Sequence, residues 1–170
     1  MPDVSIIAII IAGAALLYTV FLINWIMNQP AGEGKMKGIA LAIQEGANAF
    51  LARQYRVISY IGAAMFLLLG LVLSWNIALG FLAGAVLSGI AGYTGMLVSV
   101  RANVRTAEAA KGGLDKALTL AVRGGAVTGI IVVSLGLLGV AGLYVATGDI
   151  QVLIGLGFGG SLISVFARLG

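Results

Sequence analysis

One charged residue follows the last apolar segment of this chain, and among the charged residues its position best fits a functional role. Residues 150–167 are uncharged, and Arg168 comes directly after them. An arginine at the end of an apolar helix can extend its side chain to the membrane surface. It can also act as a fixed positive charge beside an ion path, paired with a carboxylate from another segment. The residues leave both interpretations of Arg168 open.

The acidic residues do not form a recognisable catalytic cluster. Mg²⁺ requires several converging oxygen ligands, and a cation-binding carboxylate of a rotor or exporter lies inside the membrane. All six carboxylates lie outside the long apolar runs: Asp3, Glu33, Glu45, Glu108, Asp115 and Asp149. The chain also has no histidine and no cysteine, which removes imidazole catalysis and thiolate chemistry. The residues themselves therefore indicate no catalytic or metal site within this chain.

The composition is that of a protein embedded in lipid. Hydrophobic residues make up 61% of the chain, charged residues 9%, and the mean hydropathy is +1.11. A soluble domain carries about 25% charged residues, so this chain has too little charge to cover a surface in water. Alternating strands of a membrane barrel are absent, whereas long apolar runs predict helices.

Five uncharged stretches are long enough to cross the hydrocarbon core of a bilayer as helices. The uncharged run 57–100 is too long for one span, and we divide it at Ser74–Asn76. The predicted spans are 4–27, 57–75, 77–100, 124–147 and 150–168. We therefore predict an all-α membrane protein with five transmembrane helices, in which the other spans pack around the last one.

The basic residues predict the orientation. With five spans, all ten Lys and Arg residues fall on one side, in segments 28–56 and 101–123 and at Arg168. By the positive-inside rule this side is cytoplasmic and the N-terminus lies outside the cell or in a lumen. The net charge of +4 is then a topology signal, and we expect no nucleic-acid partner.

Small residues recur at helical spacing in two of the spans. Gly80, Gly84, Ser88 and Gly92 lie four residues apart, a pattern that lets helix backbones approach closely in lipid. Residues 155–160 match the pattern GxGxxG of dinucleotide-binding loops. That motif needs a preceding strand, and here it lies inside an apolar span. Both patterns therefore predict helix packing rather than a cofactor site.

Four motifs, in this order and spacing, resemble the membrane-integral, ion-pumping inorganic pyrophosphatases. They are EGANAFLARQY at 45–55, SGIAGYTGM at 88–96, RANVRTAEAA at 101–110 and GFGGSLISVFAR at 157–168. The resemblance extends over residues 38–170. It implies that this chain is the N-terminal part of a bundle of about sixteen transmembrane helices that works as a homodimer.

The resemblance also implies an activity. Such proteins hydrolyse Mg-pyrophosphate on the cytoplasmic side and pump H⁺ or Na⁺ outward, and some of them require K⁺. The catalytic and Mg²⁺-binding residues are expected outside this chain. Arg168 matches the arginine of an ion-gate cluster that includes an Asp and a Lys from other helices. Tyr55, Asn103 and Arg105 match motif positions for which no catalytic role is assigned.

Two other classes of protein fit the same residues. One is a small helical membrane subunit that acts as a scaffold for a transport complex, and its reading frame would stop after Gly170. The other is a fragment of a secondary transporter, which typically shows repeated halves, and the chain contains no internal repeat. The pump interpretation expects a reading frame that continues past Gly170 and supplies Asp, Lys and Glu residues.

The ion-gate role of Arg168 gives the first testable prediction. In the full-length protein, Arg168→Ala should uncouple or abolish pumping while leaving the fold intact, because it removes a permanent positive charge beside the ion path. Ion uptake and pyrophosphate hydrolysis would be measured in parallel on reconstituted protein. Wild-type values for both would rule out this role.

Overall fold

The computed structural model describes the backbone of residues 2–169 and the side chains of residues 4–165. Within that range the chain forms five consecutive α-helices. They are α1 (Pro2–Met27), α2 (Lys35–Val72), α3 (Trp75–Ala110), α4 (Leu114–Thr147) and α5 (Ile150–Leu169).

The helices end where the sequence provides caps or glycines. The α2–α3 turn consists of residues 73–74, and the Ser74 side chain accepts a hydrogen bond of 3.2 Å from the backbone N–H of Ile77. Such a bond satisfies one of the N–H groups that a helix start leaves without a partner. Gly148 ends α4 with a φ of 63°, a left-handed conformation that glycine adopts readily. Trp75 begins α3, whereas the second predicted span ends at this residue.

Four helices are long and apolar enough to cross a membrane. These are α1 over Val4–Met27, together with α2, α3 and α4 over their whole lengths. In the described part of α5, the apolar helix Ile150–Val165 is shorter. The predicted all-α membrane fold is confirmed, and the membrane boundaries of the five spans stay predictions.

The central helix of the described structure is α3 rather than α5. Helix α3 contacts each of the other four helices, whereas α5 contacts α2, α3 and α4 but not α1. The prediction that the other spans pack around α5 is therefore wrong. The physical reason is size, since the residues that α3 buries are mainly glycine, alanine and valine, and small residues along a helix let several neighbours approach it closely.

The closest helix pair is α3 with α5, and glycines form both sides of it. A Cβ atom built on Gly84 would lie 2.8 Å from the carbonyl carbon of Leu156, and one built on Gly159 would lie 2.8 Å from that of Phe81. Non-bonded carbon atoms normally stay about 3.5–4.0 Å apart. Only glycine therefore permits this separation, and the predicted packing role of both glycine patterns is confirmed at these positions.

One member of the predicted stripe faces another helix. The nearest atom to a Cβ built on Gly92 is the hydroxyl oxygen of Tyr55 in α2, at 3.1 Å. The stripe turns gradually around α3 because a spacing of four residues exceeds the 3.6 residues of a helical turn. Gly80 and Gly84 consequently face α5, and Gly92 faces α2.

A separate apolar core joins α1 to α3 and α4. Its buried residues come from three helices: Leu22, Ile26, Ala91, Val98, Ala102, Leu120, Val127 and Ile131. Ile26 and Val127 are fully buried. Helix α1, which makes no contact with its sequence neighbour α2 in the described residues, is therefore held mainly by α4.

Substitution of one glycine tests the α3–α5 contact. In the full-length protein, Gly159→Ala should lower the thermal unfolding temperature, because the new methyl group meets backbone atoms of Phe81 and Ala85 that cannot rotate away. Overpacking of this kind costs about 1–3 kcal/mol. Gly13→Ala is the matched control, since no atom of another described helix lies within 4 Å of a Cβ built at Gly13. Equal unfolding temperatures for the two variants would contradict the packing role.

Candidate functional site

Arg168, the predicted gate residue, falls in the last turn of α5. Its side chain lies outside the described residues, so its predicted pairing with a carboxylate stays a prediction. What the structure does describe is how α5 is held, and hence what determines where its last turn lies.

Helix α5 is attached to α3 by polar and aromatic contacts in addition to the glycines. The Ser88 hydroxyl of α3 donates a hydrogen bond of 3.1 Å to the carbonyl oxygen of Gly160. The rings of Phe81 and Phe158 lie 5.7 Å apart. Ile163, one turn beyond Gly160, is buried. These contacts continue to within two turns of Arg168, so α3 determines the course of α5 towards its C-terminal end.

At the same end of the bundle, Arg105 of α3 caps the C-terminus of α1. Its Nη2 donates to the carbonyl oxygen of Met27 at 3.0 Å, and its Nε donates to that of Gln29 at 3.2 Å. A third donor, Nη1, reaches the carbonyl oxygen of Arg101 at 2.8 Å. The last carbonyl groups of a helix have no partner within it, and one planar guanidinium satisfies two from this region.

The next turn of α3 supports the loop that follows α1. The Glu108 carboxylate forms a salt bridge of 2.6 Å with Lys111. Its Oε2 would lie 2.9 Å from a Cβ built on Gly32, which has a φ of 77°. Glycine is therefore required at this loop position both by the backbone conformation and by the carboxylate beneath it.

Helix α4 is tied to α1 by a cation–π contact. The guanidinium carbon of Arg123 lies 4.0 Å from the ring centroid of Trp25, which is a favourable distance for attraction to the ring face. Sequence reasoning missed this pair and also the partners of Arg105. The one available signal was the position of Trp25 and Arg123 at the adjacent ends of two predicted spans.

Two of the three motif residues without an assigned role are now explained by packing. The Tyr55 hydroxyl donates a hydrogen bond of 2.7 Å to the carbonyl oxygen of Gly89, and its ring meets that of Tyr93 edge-on at 5.5 Å. Tyr55 thus joins α2 to α3, as Arg105 joins α3 to α1. Asn103 is exposed, and no contact with another described residue explains it.

The described residues do not fit a Mg²⁺ site. No three of the described acidic side chains come close enough together to hold a metal ion, and Mg²⁺ needs converging oxygen ligands in near-octahedral geometry. Among the described residues, the arrangement therefore positions and joins helices. It consists of a glycine-packed pair, α3 and α5, and a charged end at which α1, α3 and α4 meet.

These features define an all-α membrane protein, and comparison with known proteins identifies its family. The family description "Inorganic H+ pyrophosphatase" matches residues 13–170. The chain therefore belongs to this family of membrane pyrophosphatases.

Individual relatives agree with the family match. The chain is 51% identical over 158 residues to a K⁺-insensitive pyrophosphate-energized proton pump of Methanosarcina mazei, covering 92% of this chain and 24% of the relative. It is 42% identical over 163 residues to a second such pump of Moorella thermoacetica, covering 91% and 24%. A relative from Clostridium tetani, 40% identical and covering 95% and 24%, is provisionally named a K⁺-stimulated pyrophosphate-energized sodium pump. The chain thus spans about a quarter of the length of these relatives.

The capping role of Arg105 predicts the effect of its removal. In the full-length protein, Arg105→Ala should free the loop after α1, because hydrogen bonds from a charged donor are worth about 1.5–3 kcal/mol each. Lys35 follows this loop directly, so trypsin should cleave there faster than in the wild type. Arg53→Ala removes an exposed arginine and is the control. An unchanged cleavage rate in Arg105→Ala would contradict the capping role.

Proposed function

We propose that this chain is the N-terminal part of an ion pump that couples the hydrolysis of Mg-pyrophosphate to outward translocation of H⁺ or Na⁺. The observation that carries the proposal is the family match over residues 13–170. The relatives' names supply the energy source and the ions, since two are named proton pumps and one is provisionally named a sodium pump. The same match favours the pump over a small scaffold subunit.

Within such a pump, this chain supplies helix positions rather than the hydrolytic site. Catalytic residues and Mg²⁺ ligands are expected in the rest of the full-length protein. Helix α5, packed against α3, would carry Arg168 to the ion path. The guanidinium stays protonated at all physiological pH values, so it would weaken cation binding at a nearby acidic ion site by direct repulsion. That repulsion would favour release of the transported ion.

The proposed orientation rests on where the basic segments lie. The structure brings the start of segment 28–56 to the same end of the bundle as segment 101–123, because Arg105 contacts the carbonyl groups of Met27 and Gln29, and Arg123 contacts Trp25. The positive-inside rule makes this the cytoplasmic end and leaves the N-terminus on the outer or lumenal side. We further propose that the full-length protein is a homodimer, as the family resemblance implies.

A transport assay tests the function. Full-length protein reconstituted in liposomes should hydrolyse pyrophosphate and accumulate H⁺ or Na⁺ in the lumen, whereas ATP should drive neither process. A protonophore should collapse an H⁺ gradient and spare a Na⁺ gradient. Hydrolysis and uptake that are both absent in correctly folded protein would refute the proposal.

The same assay decides the dependence on K⁺. We expect equal rates with and without K⁺, because the relatives at 51% and 42% identity are named K⁺-insensitive. Stimulation by K⁺ together with Na⁺ uptake would instead match the Clostridium tetani relative.

A further inference from the structure

Helices α3 and α5 meet at a constant offset in residue number. A Cβ atom built on either of two α3 glycines would overlap a carbonyl oxygen of α5, and one turn further along the contact Ser88 donates a hydrogen bond. All three contacts have an offset of 72 residues: Gly80 with Val152, Gly84 with Leu156, and Ser88 with Gly160. The two helices therefore run parallel and advance together, turn by turn, towards the end of α5 that carries Arg168.

Side chains that flank the glycines exclude a shift of this alignment by one turn. If α5 moved one turn towards the C-terminal end of α3, the Cβ of Ser88 would meet the carbonyl oxygen of Leu156. If α5 moved one turn the other way, the Cβ of Ile163 would meet the carbonyl oxygen of Phe81. Glycines occupy both of these positions in the observed alignment, and a main-chain carbonyl cannot rotate away from a new Cβ. The glycines therefore permit one position of α5 along α3.

Ser88 uses its hydroxyl differently from four other hydroxyl side chains of the bundle. Each of those four donates to the carbonyl oxygen four residues earlier in its own helix: Thr19, Ser59, Thr106 and Thr147. This is a common bond for serine and threonine within a helix. Ser88 instead donates across to α5, at 3.1 Å. A hydrogen bond between helices contributes to their association in lipid, whereas a bond within one helix holds no neighbour.

The Ser88 bond lies where the glycine contact ends. Gly159 is the last glycine of α5 at which a Cβ would overlap the α3 backbone, since the nearest atom to a Cβ built on Gly160 lies at 3.8 Å. Arg168 lies eight residues beyond Gly160, so a tilt of about 10° at Gly160 would move the backbone of Arg168 by about 2 Å. Such a shift alters the effect of a fixed charge on a neighbouring ion site, because Coulomb energy depends on separation.

We propose that Ser88 is a positioning residue for the ion gate. Its hydrogen bond to Gly160 holds the last turns of α5 in the direction that brings Arg168 to the ion path. The inference rests on the proposed gate role of Arg168, and it gives the uncharged part of α3 a role in coupling hydrolysis to transport. Loss of the hydroxyl should therefore lower the number of ions moved per pyrophosphate, and it should spare hydrolysis, whose residues are expected outside this chain.

The test measures ion uptake and pyrophosphate hydrolysis in parallel on full-length variants reconstituted in liposomes. Ser88→Ala removes the hydroxyl and keeps the Cβ, so the glycine contact stays intact. We expect a wild-type hydrolysis rate, a wild-type unfolding temperature, and a ratio of uptake to hydrolysis that is about two- to three-fold lower. This is the change in a local equilibrium that follows from loss of one average hydrogen bond between membrane helices.

Two further variants isolate the hydroxyl of Ser88. Ser88→Thr retains a hydroxyl at this position and should restore the ratio of uptake to hydrolysis. Ser59→Ala is the matched control, because the Ser59 hydroxyl bonds within α2, and it should leave the ratio at the wild-type value.

The outcomes separate this inference from the proposed function. If the wild type pumps and Ser88→Ala has the same ratio, the positioning role is wrong and the pump function stands. Uptake and hydrolysis that fall in proportion, with a lower unfolding temperature, would show that Ser88 only supports the fold. A lower ratio that Ser88→Thr does not restore, or that Ser59→Ala shares, would also overturn the proposal.

Failure at the level of the pump has different signatures. A folded wild type that neither hydrolyses pyrophosphate nor takes up ions would refute the proposed function itself. Wild-type pumping by Arg168→Ala would refute the gate role, and with it the positioning role of Ser88, while leaving the pump function intact.

Discussion

The contact on which the arrangement of this chain most depends is the approach of the α3 and α5 backbones. Lipid provides no hydrophobic drive for two helices to associate, so association depends on close packing and on hydrogen bonds between them. Gly80 and Gly84 of α3 meet backbone atoms of α5, and Gly159 meets those of α3. Ser88 adds a hydrogen bond across the same surface. The lack of a side-chain methyl group at these glycines therefore determines how closely α5 approaches α3.

A different type of interaction acts at the C-terminal end of α3. There, Arg105 bonds to carbonyl groups at the end of α1, and Arg123 of α4 covers the ring of Trp25. These contacts use charge at one end of the bundle, whereas the α3–α5 contact uses the small size of glycine along the helices. Because α3 takes part in both systems, it joins the charged end of the bundle to the helix that carries Arg168.

The helices and their packing faces were largely predictable from sequence, because apolar length and glycine spacing are local properties. The division of the uncharged run 57–100 near Ser74 and the packing use of the GxGxxG match are examples. The central position of α3 and the partners of Arg105 were not predictable. Arg105 binds main-chain carbonyls, and a carbonyl oxygen is present in every residue, so no residue type marks the partner. The environment of Arg168 could not be predicted either, since the charges expected to surround it come from other helices.

The order of helices along the chain has a consequence for biogenesis. Helix α5 leaves the ribosome only after all of α4, so the glycine face of α3 has no partner while the nascent chain is being inserted. Helix α1 likewise finds its main packing partner in α4, and it makes no contact with α2 in the described part of the chain. Pairing of sequence neighbours alone does not complete this bundle, because α1 packs mainly on α4 and α3 packs most extensively on α5. The packing surface of α3 is therefore completed only when the segment containing Gly159 has entered the bilayer.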